Sequence, residues 1–260
     1  MQLLYLLFVL IGLILFVAAF LYRPKHKAME LPSPETIRSI LKEEVAFYQD
    51  LPTERRVEFE TRVHRFLGKV KITAVRTKLD ALDQVLVAAS AVIPIFGYSD
   101  WEYPNLHEVL LYPDRFDEKF RQEGHSRDTL GMVGSGAYKN VMILSQQALR
   151  ESFSNKTGKT NAGIHEFVHL VDSTDGSFDG LPETVLQKKY VLPWLKLMHE
   201  EMKNIEAGHS DINPYALTNE AEFYAVISEY FFSRPDLLKE KHPELYEQLA
   251  RIFGGNGQEG

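Results

Sequence analysis

The feature that most constrains this chain is a pair of histidines four residues apart, with a glutamate directly after the first. His165, Glu166 and His169 form the pattern His-Glu-x-x-His. On a helix, residues i and i+4 lie one turn apart on the same face, so both imidazoles can bind one metal ion. The pattern therefore predicts a helix that carries two ligands of a Zn²⁺ ion. The alternative is a pair of helix histidines without a metal.

A catalytic zinc site needs a third protein ligand, and its fourth position stays open for water. The best candidate is Glu222, in a helix expected over 219–232. Glu222 and Glu229 are seven residues apart and therefore share one face, which otherwise carries small and apolar side chains. Two acids on such a face need an inward partner, and a metal ion would provide one. Alternatively, Glu222 completes a capping box with Asn219.

Further residues have predicted roles near this pair. We expect Glu166 to be the general base, which takes a proton from a water molecule that zinc activates. The hydroxyl of Tyr215 could stabilise an oxyanion, although a chain with twelve tyrosines makes a core or surface role the alternative. Asp172, three residues after His169, either accepts a hydrogen bond from an imidazole or belongs to the turn that ends the helix. Weaker candidates for the third metal ligand are His199, His209 and Asp211.

The composition narrows the classes of function. The 260 residues carry a net charge of −7 without a stripe of lysine and arginine, which argues against nucleic-acid binding. There is no cysteine, so disulfides, thiolate zinc sites and cysteine nucleophiles are excluded. Any metal in this protein must therefore be held by nitrogen and oxygen atoms.

The N-terminal segment predicts a transmembrane anchor over 1–22. From residue 3 onward it carries no charge, and twenty helical residues span about 30 Å, the thickness of the hydrocarbon core of a bilayer. Three basic residues follow within 23–32, which we expect to be a linker, and the positive-inside rule then places the rest of the chain in the cytoplasm. We therefore expect a single-pass membrane protein. A cleaved signal peptide is the alternative, but a basic start is missing.

The remaining pattern predicts one α+β domain over 33–253, mostly helical, with a small mixed sheet. The strand over 141–144 is expected at the sheet edge, where an extended substrate could pair with it, or else as an ordinary core strand. The tail over 254–260 is expected to be disordered. The expected helices are 33–48, 53–67 with Gly68 as its stop, 80–93 ended by Pro94, one with the histidine pair, 183–205, 219–232 and 235–253, and the expected strands are 70–76, 106–112 and 141–145.

Two segments resemble the Mlc titration factor A family of bacterial zinc peptidases. The specific likeness lies in the histidine motif with its following loop, up to residue 182, and in 221–232. A weaker likeness covers most of the chain from residue 51 onward. The resemblance implies a zincin-like core, and by matching position it makes Glu222 the third zinc ligand. It also implies a catalytic role for Tyr215.

The resemblance leaves more than one function open. A well-known member is a soluble aminopeptidase that also binds a transcriptional repressor, but this chain departs from it by its N-terminal apolar segment. Our first hypothesis is therefore a membrane-anchored zinc metallopeptidase that acts on peptides or proteins, with aminopeptidase activity as one form. The second is a regulatory protein that sequesters a partner, such as a transcription factor, at the membrane and has a secondary or vestigial zinc site. A zinc hydrolase of a non-peptide amide is the third.

Overall fold

The computed structural model describes residues 30–99, 101–114, 131–133, 140–182 and 188–254. The expected anchor over 1–22, residues 23–29 of the expected linker and all but the first residue of the expected tail lie outside these ranges. Within them, we find no helix that is both long enough and apolar enough to cross a bilayer. The fold described below is that of the unit that begins at Pro32.

Helices make up most of this unit. The first begins where the hydroxyl of Ser33 accepts a hydrogen bond from the Thr36 backbone N–H at 3.2 Å, directly before Pro34. In chain order the helices are α1 (Pro34–Glu44), α2 (Ala46–Asp50), α3 (Thr53–Lys69), α4 (Ala81–Ile95), α5 (Gln146–Ser154), α6 (Ala162–Asp172), α7 (Lys188–Glu206), α8 (Glu220–Ser233), α9 (Pro235–Lys241) and α10 (Pro243–Phe253), and short 3₁₀ turns span Ser173–Asp175 and Pro214–Leu217.

A four-stranded sheet completes the unit, with strands β1 (Lys71–Ala74), β2 (Glu108–Tyr112), β3 (Gly131–Val133) and β4 (Val141–Ser145). The spatial order is β1-β2-β4-β3. The pairs β1–β2 and β2–β4 are parallel, whereas β3 runs antiparallel to β4. The prediction of a mostly helical α+β fold with a small mixed sheet is therefore confirmed.

The expectation that 141–144 forms the sheet edge is wrong. Strand β4 lies inside the sheet, because β3 pairs with it on its outer side and Met132 stands opposite Ile143. Met142 to Ser145 are buried accordingly. A three-residue strand that begins with a glycine carries too little alternation to be recognised in a sequence. Among the described strands, β3 takes the edge position on this side.

Two expected helix ends are also wrong. Gly68 lies inside α3 rather than after it, because its backbone does not adopt the positive φ with which a glycine ends a helix. Pro94 lies inside the last turn of α4, where its missing N–H removes only one helical hydrogen bond.

Two expected helices are each divided in two. The helix expected over 235–253 is interrupted at His242, directly before Pro243, because the residue before a proline is disfavoured in the helical region. The helix expected over 33–48 is interrupted at Val45, whose backbone is extended.

The histidine helix α6 packs in the centre of the unit. Gly163 faces α4 so closely that a β-carbon there would lie 2.2 Å from Ser90 Oγ, and only a glycine fits without a shift. Phe167 is fully buried, and its ring centroid lies 5.7 Å from that of Phe66 and 5.1 Å from that of Tyr103. These contacts fix the rotation of α6 and thereby the direction in which its histidines point.

Candidate metal centre

Helices α6 and α8 bring His165, His169 and Glu222 together. The Nε2 atoms of the two histidines are 3.1 Å apart. Glu222 Oε2 lies 3.0 Å from His165 Nε2 and 3.4 Å from His169 Nε2. In the part of the chain that the structure describes, no other group of His, Asp and Glu side chains converges in this way. The three atoms surround one small volume that a metal ion could fill.

The local sequence explains the position of both histidines. Asn161 begins α6, and its side-chain oxygen accepts a hydrogen bond from the Ile164 backbone N–H at 3.0 Å. One helical turn later the rings of His165 and His169 meet edge to face, with centroids 4.7 Å apart. Both side chains are about one-tenth exposed, so the paired nitrogens lie in a sheltered position that water can still reach.

The structure distinguishes the two roles that the sequence left open for Glu222. It occupies the third position of α8, and its backbone N–H donates to the Asn219 side-chain oxygen at 2.9 Å. Asn219 therefore caps the helix, but the Glu222 side chain does not bond to the Asn219 backbone N–H as a capping box would require. The Glu222 carboxylate, however, contacts the two histidines. The cap and the histidine contact coexist because one uses the backbone and the other the side chain.

Glu229 lies two turns further along α8 and holds His165 from the opposite side. Its Oε1 is 2.6 Å from His165 Nδ1, and its Oε2 accepts a hydrogen bond from the Asn161 backbone N–H at 2.5 Å. Because a carboxylate only accepts, the proton of the His165 ring belongs on Nδ1. When the His165 ring is neutral, as a metal ligand must be, the lone pair of its Nε2 faces Glu222 and His169. Glu229 thus orients a candidate ligand without joining the metal group.

Replacing Glu229 with glutamine should weaken zinc binding by roughly 10- to 100-fold, because the amide keeps the shape but loses the charge that fixes the His165 ring. The matched control is Glu220→Gln on the same helix, where the carboxylate is exposed and its contact with His199 is long, at 3.5 Å. Competition with a chromophoric chelator measures both affinities. Equal zinc affinities for Glu229→Gln and the unmodified chain would contradict this role.

Glu166 is buried beside the group. Burial raises its pKa above the usual range, and the nearby His165 and His169 only partly offset this effect. No other described residue donates a hydrogen bond to its carboxylate, so its oxygens are available to a water molecule. A buried carboxylate with a raised pKa and no fixed partner has the properties of a general base or acid.

The electrostatics of the site favour a cation. Burial opposes a charge on His165, but Glu229 and Glu222 outweigh it and raise the His165 pKa well above its ordinary value. Burial likewise opposes a charge on Glu222, yet the two histidines hold its pKa well below the usual range. With neutral imidazoles, the carboxylates of Glu166, Glu222 and Glu229 would leave three negative charges close together. A divalent cation would compensate most of that charge.

Tyr215 lies at the open side of the group, in the 3₁₀ turn Pro214–Leu217. Its ring centroid is 6.1 Å from that of His165, and half of the residue is exposed. Burial of the hydroxyl, together with the negative charges of Glu222 and Glu166, raises the Tyr215 pKa to about 12. The hydroxyl therefore keeps its proton at neutral pH and can donate a hydrogen bond.

Asp172 does not form the hydrogen bond to an imidazole that was one of its two expected roles. It is the last residue of α6, and its Oδ2 accepts from the Gly180 backbone N–H at 3.1 Å. Burial raises its pKa to about 6. Gly180 has a positive φ of 70°, and a β-carbon there would lie 2.4 Å from the Glu220 carbonyl oxygen. Asp172 thus holds the loop after α6 against the start of α8.

The weaker candidates lie outside the group. His199 is 3.5 Å from Glu220 at the surface. Asp211 instead binds Lys159 at 2.5 Å, Lys241 at 2.9 Å and His242 at 2.8 Å. These cations outweigh the effect of burial and hold the Asp211 pKa far below its usual range. His209 belongs to the turn after α7, where its backbone N–H donates to the Asn204 carbonyl.

Sequence reasoning placed Glu229 on the right face but did not find its role, and it missed Asn161. The spacing of seven between Glu222 and Glu229 was the available signal, because two turns of helix separate them by about 10.5 Å along the axis. Two carboxylates at that separation can contact one histidine from opposite sides. Asn161 carried only the general signal of a helix cap.

Comparison with known proteins agrees with this geometry. The family described as glucose-regulated metallo-peptidase M90 matches residues 20–254. A protein named Mlc titration factor A from Escherichia fergusonii is 29% identical over 231 residues, which cover 82% of this chain and 83% of the relative. The namesake from Salmonella gallinarum is 28% identical over 218 residues, covering 78% and 80%. An uncharacterized protein of Synechocystis is 25% identical over 241 residues, covering 88% and 87%.

The family match spans nearly all of the unit described above, and the resemblance to Mlc titration factor A is confirmed. The chain belongs to the glucose-regulated metallo-peptidase M90 family.

Proposed function

We propose that this protein is a zinc-dependent metallopeptidase in which His165, His169 and Glu222 hold the metal. The observation that carries the proposal is the convergence of two imidazole nitrogens and one carboxylate oxygen at 3.0 to 3.4 Å from one another. Three ligands of this kind with one position left open are typical of catalytic zinc sites.

The distances fit zinc. Bonds of about 2.0–2.1 Å from a tetrahedral Zn²⁺ ion place neighbouring ligand atoms about 3.3–3.4 Å apart. The three measured separations lie at or slightly below that value, so small side-chain movements would suffice. The buried Glu222 Oε2 has no hydrogen-bond donor of good geometry in the described part of the chain, which is consistent with a cation as its partner. The two nitrogen ligands and one oxygen ligand therefore suffice for a zinc site in a chain that has no cysteine.

The side chains divide the chemistry of peptide hydrolysis between them. Zinc, when bound, supplies a Lewis acid that lowers the pKa of water and polarises a carbonyl oxygen. Glu166 accepts the proton of the attacking water and passes it to the leaving amine, and its raised pKa suits both transfers. Tyr215 keeps its proton and donates a hydrogen bond to the oxygen that gains negative charge. Glu229 keeps the His165 ring in the orientation that this chemistry needs.

The sheet offers a place for the substrate. Strand β3, rather than β4, has the edge position on this side of the described sheet, and α6 packs against the same sheet. An extended peptide could add to β3 through main-chain hydrogen bonds, which bind without much selectivity for sequence. This supports peptides as substrates, and we extend the proposal to an aminopeptidase activity.

Zinc-loaded protein tested against a library of free and N-blocked peptides would test this function. We expect hydrolysis of free peptides from their N-terminus, and loss of hydrolysis when the N-terminus is blocked. Cleavage of blocked peptides at internal bonds would exclude the aminopeptidase form and retain the metallopeptidase. If no peptide in the library were cleaved by a zinc-loaded, folded protein, the peptidase function would be contradicted.

A second function is favoured by the names of the relatives. Proteins named Mlc titration factor A are named for titrating Mlc. By analogy, this chain would bind a regulatory protein and sequester it, with a metal site of secondary importance. Such binding does not need a general base, so a variant at Glu166 distinguishes the two functions.

We further propose that residues 1–22 anchor the protein in the bacterial inner membrane, with a linker over 23–32 and the peptidase domain over 33–253 in the cytoplasm. The full chain should then sediment with membranes and resist extraction by alkaline carbonate, because a transmembrane helix is held by apolar contacts with lipid. A chain that begins at residue 23 should appear in the supernatant. If the full chain also appears in the supernatant, the anchor is wrong.

A further inference from the structure

A second cavity, separate from the metal centre, lies between α3, the end of α4 and the segment 101–106. Its volume is about 70 Å³, and a single water needs roughly 10–15 Å³ on the same scale, so it holds a group of several heavy atoms. Phe66 and Tyr103 form part of its wall and separate it from Phe167 of α6. None of the proposed metal ligands lines it.

The inner wall of the cavity is apolar. Phe66, Val92 and Leu106 are buried there. Trp101 and Tyr103 pack edge to face with centroids 4.9 Å apart, and the Tyr103 hydroxyl donates to the Ala91 carbonyl at 2.8 Å. The Tyr103 hydroxyl is therefore already satisfied, and the apolar surface beside it suits an aliphatic or aromatic group.

The rim of the cavity is positive. Arg62, Arg65 and Lys69 follow each other on one face of α3, and Glu102 is the only acid in the described lining. Glu102 lies 2.5 Å from Lys69 and 3.8 Å from Arg65, so a single carboxylate forms ion pairs with two cations. Both cations are about half exposed, which places them at the mouth of the cavity.

Arg62 adds a buried positive charge. Its side chain is 8% exposed, and its guanidinium donates to the carbonyl oxygens of Ile95 at 2.8 Å and Phe96 at 3.1 Å. The carboxylate beside it is that of Glu58 at 3.9 Å, and Glu58 also pairs with Arg55 at 3.2 Å. A buried guanidinium that is bonded mainly to neutral carbonyls keeps a positive field in the cavity.

We propose that this cavity binds a small organic carboxylate with an apolar tail. The tail lies against Phe66, Val92 and Leu106, and the carboxylate lies at the mouth between Arg65 and Lys69. Arginine binds carboxylates through two parallel hydrogen bonds, and lysine adds a point charge. Three cations and one acid line this cavity in the described part of the chain, so an anion is the complementary ligand.

The test uses the full chain stripped of metal with a chelator, so that no carboxylate binds through zinc and the result is independent of the peptidase proposal. Hexanoate is the probe, and hexan-1-ol is its neutral counterpart. Trp101 in the cavity wall reports binding by fluorescence, whereas Trp194, the other tryptophan of the chain, is fully buried elsewhere. A Trp101→Phe variant identifies the responding residue.

We expect hexanoate to bind saturably and roughly tenfold more tightly than hexan-1-ol, because only the acid reaches both charges at the mouth. The double variant Arg65→Gln, Lys69→Gln should lose that preference, and both side chains are exposed enough for the fold to tolerate the change. Lys196→Gln, an exposed lysine on α7, is the matched control and should bind like the unmodified chain.

Three results would overturn the proposal. One is the absence of saturable hexanoate binding to the folded, metal-free chain. Another is equal affinity for the acid and the alcohol, which would mean an apolar cavity without anion recognition. The last is unchanged hexanoate affinity in the double variant, which would place the carboxylate elsewhere.

Discussion

Replacing Glu166 with glutamine should lower the rate of peptide hydrolysis by roughly 10²- to 10⁴-fold, while zinc remains bound and the fold is unchanged. Glutamine has the same shape as glutamate but cannot accept the proton of the attacking water, and general-base catalysis contributes about that factor. In free-energy terms the activation barrier rises by about 3–5.5 kcal/mol. The measurement is kcat/KM on a peptide that the unmodified protein cleaves, with bound zinc determined in the same sample.

The matched control is Glu220→Gln, which changes the same residue type at an exposed position of α8. It should keep full activity. Unchanged hydrolysis in Glu166→Gln would contradict the assignment of the base. Loss of zinc from that variant would also contradict it, since Glu166 would then support the metal rather than the proton transfer. Under the regulatory alternative, Glu166→Gln would leave partner binding unaltered.

Replacing Glu222 with alanine should weaken zinc binding by more than about 100-fold. Removing a group that only orients a ligand costs about 10- to 100-fold, so the loss of a direct ligand should exceed that range. The variant would keep the two imidazoles, Glu166 and Glu229, but it would lack the carboxylate oxygen that completes the group of three ligands.

Thermal unfolding with and without zinc measures this effect. A ligand at 100 times its dissociation constant stabilises the folded state by about 2.7 kcal/mol, and this gain should be present in the unmodified chain and nearly absent in Glu222→Ala. The Glu220→Ala control should respond to zinc like the unmodified chain. If Glu222→Ala were stabilised by zinc as strongly as the control, Glu222 would not be a ligand.

The local parts of the site could be predicted from the sequence. The spacing of His165 and His169 fixes their relation on any helix, whatever surrounds it. The position of Glu166 between them follows from the same turn. The helix starts at Ser33 and Asn219 could be predicted for the same reason, since a cap depends on a few adjacent residues.

The contacts between elements that are distant in the chain could not be predicted from the sequence. Glu222 and Glu229 of α8 contact opposite ring nitrogens of His165 in α6. No pattern along the chain indicates how these two helices cross. Helix spacing favoured Glu222 as the third ligand and the family resemblance strengthened that prediction, but the role of Glu229 required the structure. The prediction of the edge strand was wrong for a similar reason, because only the pairing of β3 with β4 reveals which strand is outermost. The prediction that α3 ends at Gly68 was wrong because Gly68 does not adopt the positive φ with which a glycine commonly ends a helix.

The central claim is that one zinc ion sits between α6 and α8, and diffraction from zinc-loaded crystals on both sides of the zinc absorption edge tests it most directly. We predict one anomalous peak per chain, within about 2.0–2.2 Å of His165 Nε2, His169 Nε2 and a Glu222 carboxylate oxygen. A fully loaded crystal with its zinc at another place, or bound without Glu222, would contradict the account.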